Sequence, residues 1–164
     1  MPDMKGAFRK AGFGGGPPAS GPGQGRTAGP ASLRSVVPAD YPKYFTAEGH
    51  LRVELVKDEA EKIARCFRES KLTRNQLRSF YDHAKKQLQR LGYGTAFGEI
   101  HAEIARLKAF AADRAARSSN ALPAAFKEFI DRNVNAVNDE KSFKNGFMPH
   151  FEAVVGYCAS LRER

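Results

Sequence analysis

The chain has 164 residues with 27 Lys and Arg against 18 Asp and Glu, a formal charge of +9 and a pI near 9.8. This length allows one domain of ordinary size, and the basic balance favours an anionic partner such as nucleic acid. No apolar run approaches the roughly 20 residues that span a bilayer, and the start, MPDMKGAFRK, lacks the apolar block of a signal peptide. We therefore expect a soluble, cytoplasmic protein.

The first 43 residues differ in composition from the rest. They hold nine of the fifteen glycines and seven of the nine prolines, with few large apolar side chains. Such a segment buries too little surface to offset its ordering entropy. We expect residues 1–43 to form a disordered basic arm that is dispensable for folding, and residues 44–164 to form the folded domain.

Apolar residues recur at helical spacing through the rest of the chain. The first helix is expected from Leu51 to about Ser70, the second from Thr73 to the glycines at 92–98, and the third from Phe97. Pro123 suits the first turn of a fourth helix, and Asp139 a cap of the fifth. Pro149 removes a hydrogen bond there, which predicts a kink near Met148 or two short helices. The fold class is all-α, a bundle of about five helices.

The second helix carries the densest positive charge. Its segment 71–90 holds six basic residues and one acid, +5 of the total +9. On a helical wheel Arg74, Arg78 and Lys85 line one border of the apolar face, with Lys71 just before the cap. Such a strip is typical of a protein that binds a phosphate backbone. The alternative is an ordinary solvated helix face.

Several kinds of chemical site receive no support. GFGGG has no strand before it and no helix after it, which a phosphate-binding loop needs. The four histidines lack metal-ligand spacing, and Cys66 and Cys158 lie in predicted helices beside apolar residues, as reduced core thiols do. We expect no metal and no cofactor.

One pattern points to catalysis. Arg78 and His83 form R-x4-H, which resembles the ribonuclease signature of the all-α HEPN family, where the pair acts on RNA phosphodiesters. With fifteen arginines and four histidines, roughly one such match is expected by chance. Ser79 also follows Arg78 where that family favours Asn, Asp or His. A HEPN-like ribonuclease is the alternative function.

Three patches carry a second resemblance. LTRNQLR (72–78), LKAFAADRAAR (107–117) and FEAVVGY (151–157) resemble motifs of the small α-helical subunit of the type III-A CRISPR effector, the Csm complex. Their order across a five-helix pattern extends the resemblance over 51–161. The small subunit of a type III-B complex is the related alternative. The long Gly/Pro arm, Ala111 and Ala112 in place of tyrosines, and Pro149 depart from the family pattern.

The resemblance implies a non-catalytic subunit that acts in antiviral defence. It would stack in several copies along the inner filament of the complex, opposite the guide-bearing backbone. Its partners would be the guide and target RNA, other copies of itself, and the backbone and large subunits of the complex. An A-form duplex is best held by its backbone, which requires Arg and Lys on a rigid face. Arg78 has a structural alternative, bridging two helices. The predicted RNA-binding residues are Lys71, Arg74, Arg78 and Lys85, with Lys108 and Arg117 from the second patch.

Overall fold

The computed structural model describes residues 31–162 and confirms the all-α class. Five helices make up the bundle: α1 (Asp58–Glu69), α2 (Arg74–Gly92), α3 (Phe97–Ala115), α4 (Ala124–Ala136) and α5 (Met148–Arg162). Over the same residues the only extended pairing is an isolated bridge between Phe45 and Leu51. The disorder predicted for residues 1–30 lies outside the described part of the chain.

The predicted first helix is shorter than expected. A 3-10 turn occupies Val53–Val56, and the backbone at Lys57 (φ −127°, ψ −100°) leaves helical geometry before α1 begins. The side chain of Leu55 in that turn is fully buried. The apolar spacing that predicted a helix from Leu51 therefore reflects the burial of Leu55. An α-helix and a 3-10 turn place buried residues at similar intervals, so the spacing could not tell them apart.

The interruption predicted in the last helix takes the form of a π-helix. Ser142–Phe147 is π-helical and runs directly into α5. Asp139 caps the helical turn at residues 140–141 that leads into it, since the Asp139 carboxylate accepts the Ser142 N–H at 2.7 Å, and this bond lowers the carboxyl pKa. Gly146 gives the ring of Tyr44 its space, because a Cβ there would lie 2.6 Å from Tyr44 Cγ.

The helices pack around one aromatic core. α1 lies mainly on α5, α3 lies on α4, and α2 contacts both α3 and α5. Phe67 of α1 and Phe80 of α2 meet Phe126 of α4 edge to face, with ring centroids 5.3 Å and 5.1 Å apart. Such pairs add stabilisation beyond the buried apolar area. The core therefore fixes the relative positions of α1, α2 and α4.

Residues 31–45, here called the strap, lie against the bundle. Leu33, Tyr41 and Tyr44 of the strap are buried, and Arg34 pairs with Glu128 of α4 at 2.8 Å. The predicted boundary of the disordered arm at residue 43 is therefore wrong for residues 31–43. Composition averaged over the whole segment concealed these few anchoring side chains.

A buried chain of hydrogen bonds holds the strap in place. The Tyr44 hydroxyl donates to Asn133 Oδ1 (2.8 Å), and Asn133 Nδ2 donates to the Tyr41 hydroxyl (2.9 Å). His150 Nδ1 lies against the carbonyl oxygen of Leu55, which makes it the donating nitrogen. His150 Nε2 then accepts the Tyr41 O–H at 2.6 Å. Every hydrogen-bond donor of these four side chains has an acceptor. Burial lowers the pKa of His150 to about 4.

Candidate nucleic-acid interface

The start of α2 is fixed by the capping box that the sequence predicts. The Thr73 hydroxyl accepts the Gln76 N–H at 3.1 Å, and the Gln76 side chain accepts the Thr73 N–H at 3.0 Å. Two backbone donors that an α-helix leaves unpaired are thereby satisfied. This cap places Arg74 at the first helical position and Arg78 one turn later, on the same side of the helix.

Lys71 ends α1 in the left-handed conformation. Its φ is +62°, and the Leu72 N–H bonds to Phe67 O while the Lys71 N–H bonds to Arg68 O, both at 3.0 Å. This is a Schellman motif, in which glycine usually occupies the left-handed position. A side chain at that position costs about 1–2 kcal/mol. The exposed Lys71 ammonium is thus presented just ahead of α2, at the expense of backbone strain.

The α2 strip (Lys71, Arg74, Arg78 and Lys85) is exposed except at its far end. Lys71, Arg74 and Arg78 are exposed, whereas Lys85 is half-buried with its ammonium 5.9 Å from the centre of the Tyr81 ring. Within residues 31–162 none of the four makes an ion pair. In contrast, Arg65 pairs with Glu61 and Arg106 with Glu103. The charge of the strip is therefore available to an external anion.

Lys108 and Arg117 do not join the strip. Lys108 lies between α3 and α4, where its ammonium donates to Asn135 Oδ1 at 2.8 Å. Arg117 pairs with Asp113 at 3.1 Å and, with Asn75, lines a shallow hollow between α2 and α3. The structure thus brings together four of the six predicted RNA-binding residues and leaves these two apart.

A groove beside the strip adds an arginine that the sequence analysis missed. α5 runs antiparallel to α2, since Tyr81 packs edge-on against Phe151 (centroids 5.4 Å apart) and Arg162 Nη2 donates to Leu72 O at 3.1 Å. Arg162 therefore lines one groove of about 170 Å³ with Arg74 and Arg78. Arg162 lies seven residues after Val155, which also lines the groove, so both share one side of α5. This helical spacing was the signal available in the sequence.

Arg78 and His83 face different neighbours. Arg78 lines the α2–α5 groove and makes no hydrogen bond to any described residue, so the bridging role considered for it is not seen. His83 lies on the α3 side, with Nε2 3.2 Å from Glu103 O and its ring edge-on to Phe110. Within one chain the R-x4-H residues do not converge on a common point.

The remaining candidates for chemistry are buried. Both cysteines are free and buried, and burial raises the pKa of the Cys158 thiol to about 11 and that of Cys66 in the same direction. A thiol with a raised pKa is a poor nucleophile at neutral pH. In the described part of the chain no group of three or more His, Cys, Asp or Glu side chains is arranged to hold a metal ion.

Comparison with known families decides the affiliation. The family model described as Csm2 Type III-A matches residues 50–163, more than two thirds of the chain. The chain belongs to the Csm2 Type III-A family. Comparisons with curated proteins and with solved structures give no match.

Family membership makes the protein a small subunit of the type III-A CRISPR effector, the Csm complex, which contains other subunits. The resemblance inferred from the three sequence patches is thereby confirmed. The strap precedes residue 50 and therefore lies outside the Csm2 match. Arg162 lies inside the match but after the third sequence patch. None of the helices between residues 31 and 162 is long and apolar enough to cross a membrane.

Proposed function

We propose that this Csm2 family member is a non-catalytic subunit that holds the guide and target RNA by their phosphate backbone. The supporting observation is the α2 strip, a row of four cations, three of them exposed, at the start of and along a well-capped helix. None of the four pairs with a carboxylate among residues 31–162. Lys and Arg on such a face neutralise phosphates without reading bases, which suits an A-form duplex. The protein would act in the cytoplasm, in antiviral defence.

Several copies would stack along the inner filament of the complex, opposite the guide-bearing backbone, with the backbone and large subunits as partners. One copy offers few phosphate contacts, so the isolated protein should bind RNA weakly. Copies fixed side by side raise the effective concentration of each further contact, so that affinity arises from multivalency. Copurification with a guide RNA and a large subunit is the direct check of this assembly.

The test of the RNA contact is a matched set of alanine variants. Arg78→Ala and Arg74→Ala should each weaken binding of single-stranded RNA and reduce the salt slope of the logarithm of affinity by about 0.7, the value for one phosphate. Arg65→Ala is the control, because Arg65 is also exposed but pairs with Glu61. An Arg65 variant that weakens binding as much as the strip variants would show that only overall charge matters.

The same set separates RNA binding from RNA cleavage. His83→Ala should leave RNA affinity and complex assembly nearly intact, because His83 lies against α3 and away from the strip. A HEPN-type ribonuclease would instead lose cleavage equally with either Arg78 or His83, since both groups act on one phosphodiester. Matched loss of an RNA-cutting activity in both variants would overturn the non-catalytic proposal.

A further inference from the structure

The groove between α2 and α5 combines a cationic rim with an apolar floor. Arg74, Arg78 and Arg162 line it, together with Leu77, Val155, Cys158 and Ala159. Leu77 and Cys158 are buried, Val155 is half-buried and Ala159 is exposed. The floor is therefore accessible at Val155 and Ala159, where small side chains leave space above the helix.

The composition of this lining restricts the ligand. The seven lining residues include three guanidinium groups and no carboxylate, so an anionic ligand is favoured. A guanidinium that lies beside apolar surface binds phosphate and also stacks on planar rings. A duplex backbone presents phosphate and ribose alone and leaves an apolar floor unused, whereas an unpaired nucleotide carries a phosphate and a flat base.

We propose that this groove binds one unpaired nucleotide of the RNA, with its base against Val155 and Ala159 and its phosphate on the arginines. The inference rests on the proposed function, because Arg74 and Arg78 belong to both the strip and the groove. RNA held along the strip must therefore pass the groove. Contact between the face of a base and apolar side chains makes no hydrogen bond to the base edge, where sequence is read, which agrees with a subunit that holds many different guides.

A docked acidic helix is the competing occupant. The groove extends about 6 Å along α2, from Arg74 to Arg78, and about 10 Å along α5, from Val155 to Arg162, at 1.5 Å per residue. An amphipathic helix that docks through residues i, i+4 and i+7 also needs about 10 Å, so length does not separate the two occupants. RNA is favoured because Arg74 and Arg78 also belong to the α2 strip, where the same phosphate backbone continues past the groove.

The test compares two RNA probes on the full-length protein in about 50 mM salt, where phosphate binding is stronger than at physiological salt. One probe is a fluorescent single-stranded oligouridylate, and the other has the same number of phosphates with abasic riboses. Wild-type protein should bind the oligouridylate about threefold more tightly, from roughly 30 Å² of base surface removed from water at about 25 cal/mol per Å². Equal affinity for the two probes would overturn the proposal.

Ala159→Leu fills the floor of the groove and leaves every charge in place. This variant should bind both probes with the affinity that the wild type shows for the abasic probe, and its salt slope should not change. Ala102→Leu is the control, because Ala102 is exposed on α3 and does not line the groove. Circular dichroism checks that both variants fold, which is expected for substitutions at exposed positions.

The outcomes separate the two proposals. Retained discrimination in Ala159→Leu would overturn the nucleotide groove while leaving the phosphate contacts of the strip intact. If the wild type and both leucine variants show no salt-dependent RNA binding, and Arg78→Ala changes nothing, the proposed function itself is overturned. A helical Leu/Glu peptide that binds the wild type and not Ala159→Leu would identify the groove as a protein docking site and overturn the nucleotide assignment.

Discussion

The hydroxyl of Tyr41 is the central link of the buried chain that fastens the strap to α4 and α5. It donates to His150 Nε2 at 2.6 Å and accepts from Asn133 Nδ2 at 2.9 Å. Tyr41 is 5% exposed, and Asn133 and His150 are both fully buried, so water does not replace a lost partner. Tyr41→Phe removes this oxygen and keeps the ring that packs edge-on against His150.

The expected loss of stability follows from the two groups left behind. A buried polar group without a partner costs about 1–3 kcal/mol. His150 Nε2 loses its partner, while Asn133 Nδ2 keeps its second bond, to Phe129 O at 2.9 Å. The cost of the histidine is thus expected in full and that of the asparagine in part. We expect Tyr41→Phe to lower the free energy of unfolding by about 3 kcal/mol, a large share of the 5–15 kcal/mol typical of a domain.

Urea denaturation followed by far-UV circular dichroism measures this difference. The midpoint should fall without a change in the denaturant slope, because the surface exposed on unfolding stays the same. In a thermal scan the same loss should lower Tm by about 10 °C for a domain of this size. Tyr157→Phe is the control, since Tyr157 is half-buried and its hydroxyl bonds to none of the described residues. A Tyr41→Phe midpoint equal to that of the control would refute the hydrogen-bonded chain as the fastening of the strap.

Three further predictions concern removal of the strap, the pH dependence due to His150, and the turn before α2. Removal of residues 1–30 should leave Tm unchanged. Removal of residues 1–43 should lower the free energy of unfolding by about 5 kcal/mol, because the buried side chains of Leu33 and Tyr41 contribute about 1.5–3 kcal/mol each, in addition to the hydrogen bonds of Tyr41. Equal Tm values of the two truncated proteins in calorimetry would show that the strap does not dock. Because the pKa of His150 is lowered to about 4 by burial and the unfolded value is about 6.5, its contribution is fully present above pH 6.5 and falls by about 1.4 kcal/mol per unit as the pH drops towards 4; urea midpoints that stay constant between pH 6.5 and 4.5 would contradict this. Lys71→Gly should stabilise the fold by about 0.5–1 kcal/mol, because glycine adopts the left-handed conformation without strain, and should weaken RNA binding; a drop in Tm would argue against strain at this position.

Local signals in the sequence determined most of the helical framework. The capping box at Thr73, the proline before α4 and the apolar periods of α2 and α3 depend on interactions within a few residues, so each could be recognised in the chain alone. The row of Arg74, Arg78 and Lys85 was predictable for the same reason, because residues three, four and seven apart share one side of a helix.

Tertiary contacts decided the features that the sequence analysis missed or misjudged. Leu33 and Tyr41 lie in a segment whose average composition predicts disorder, and their burial depends on pockets formed by α4 and α5 far along the chain. Arg162 joins Arg74 and Arg78 only because α5 runs antiparallel to α2, and Lys108 and Arg117 separate from the strip because α3 faces other neighbours. Composition and periodicity describe each segment by itself, whereas a groove or a buried hydrogen-bonded chain exists only where distant segments meet.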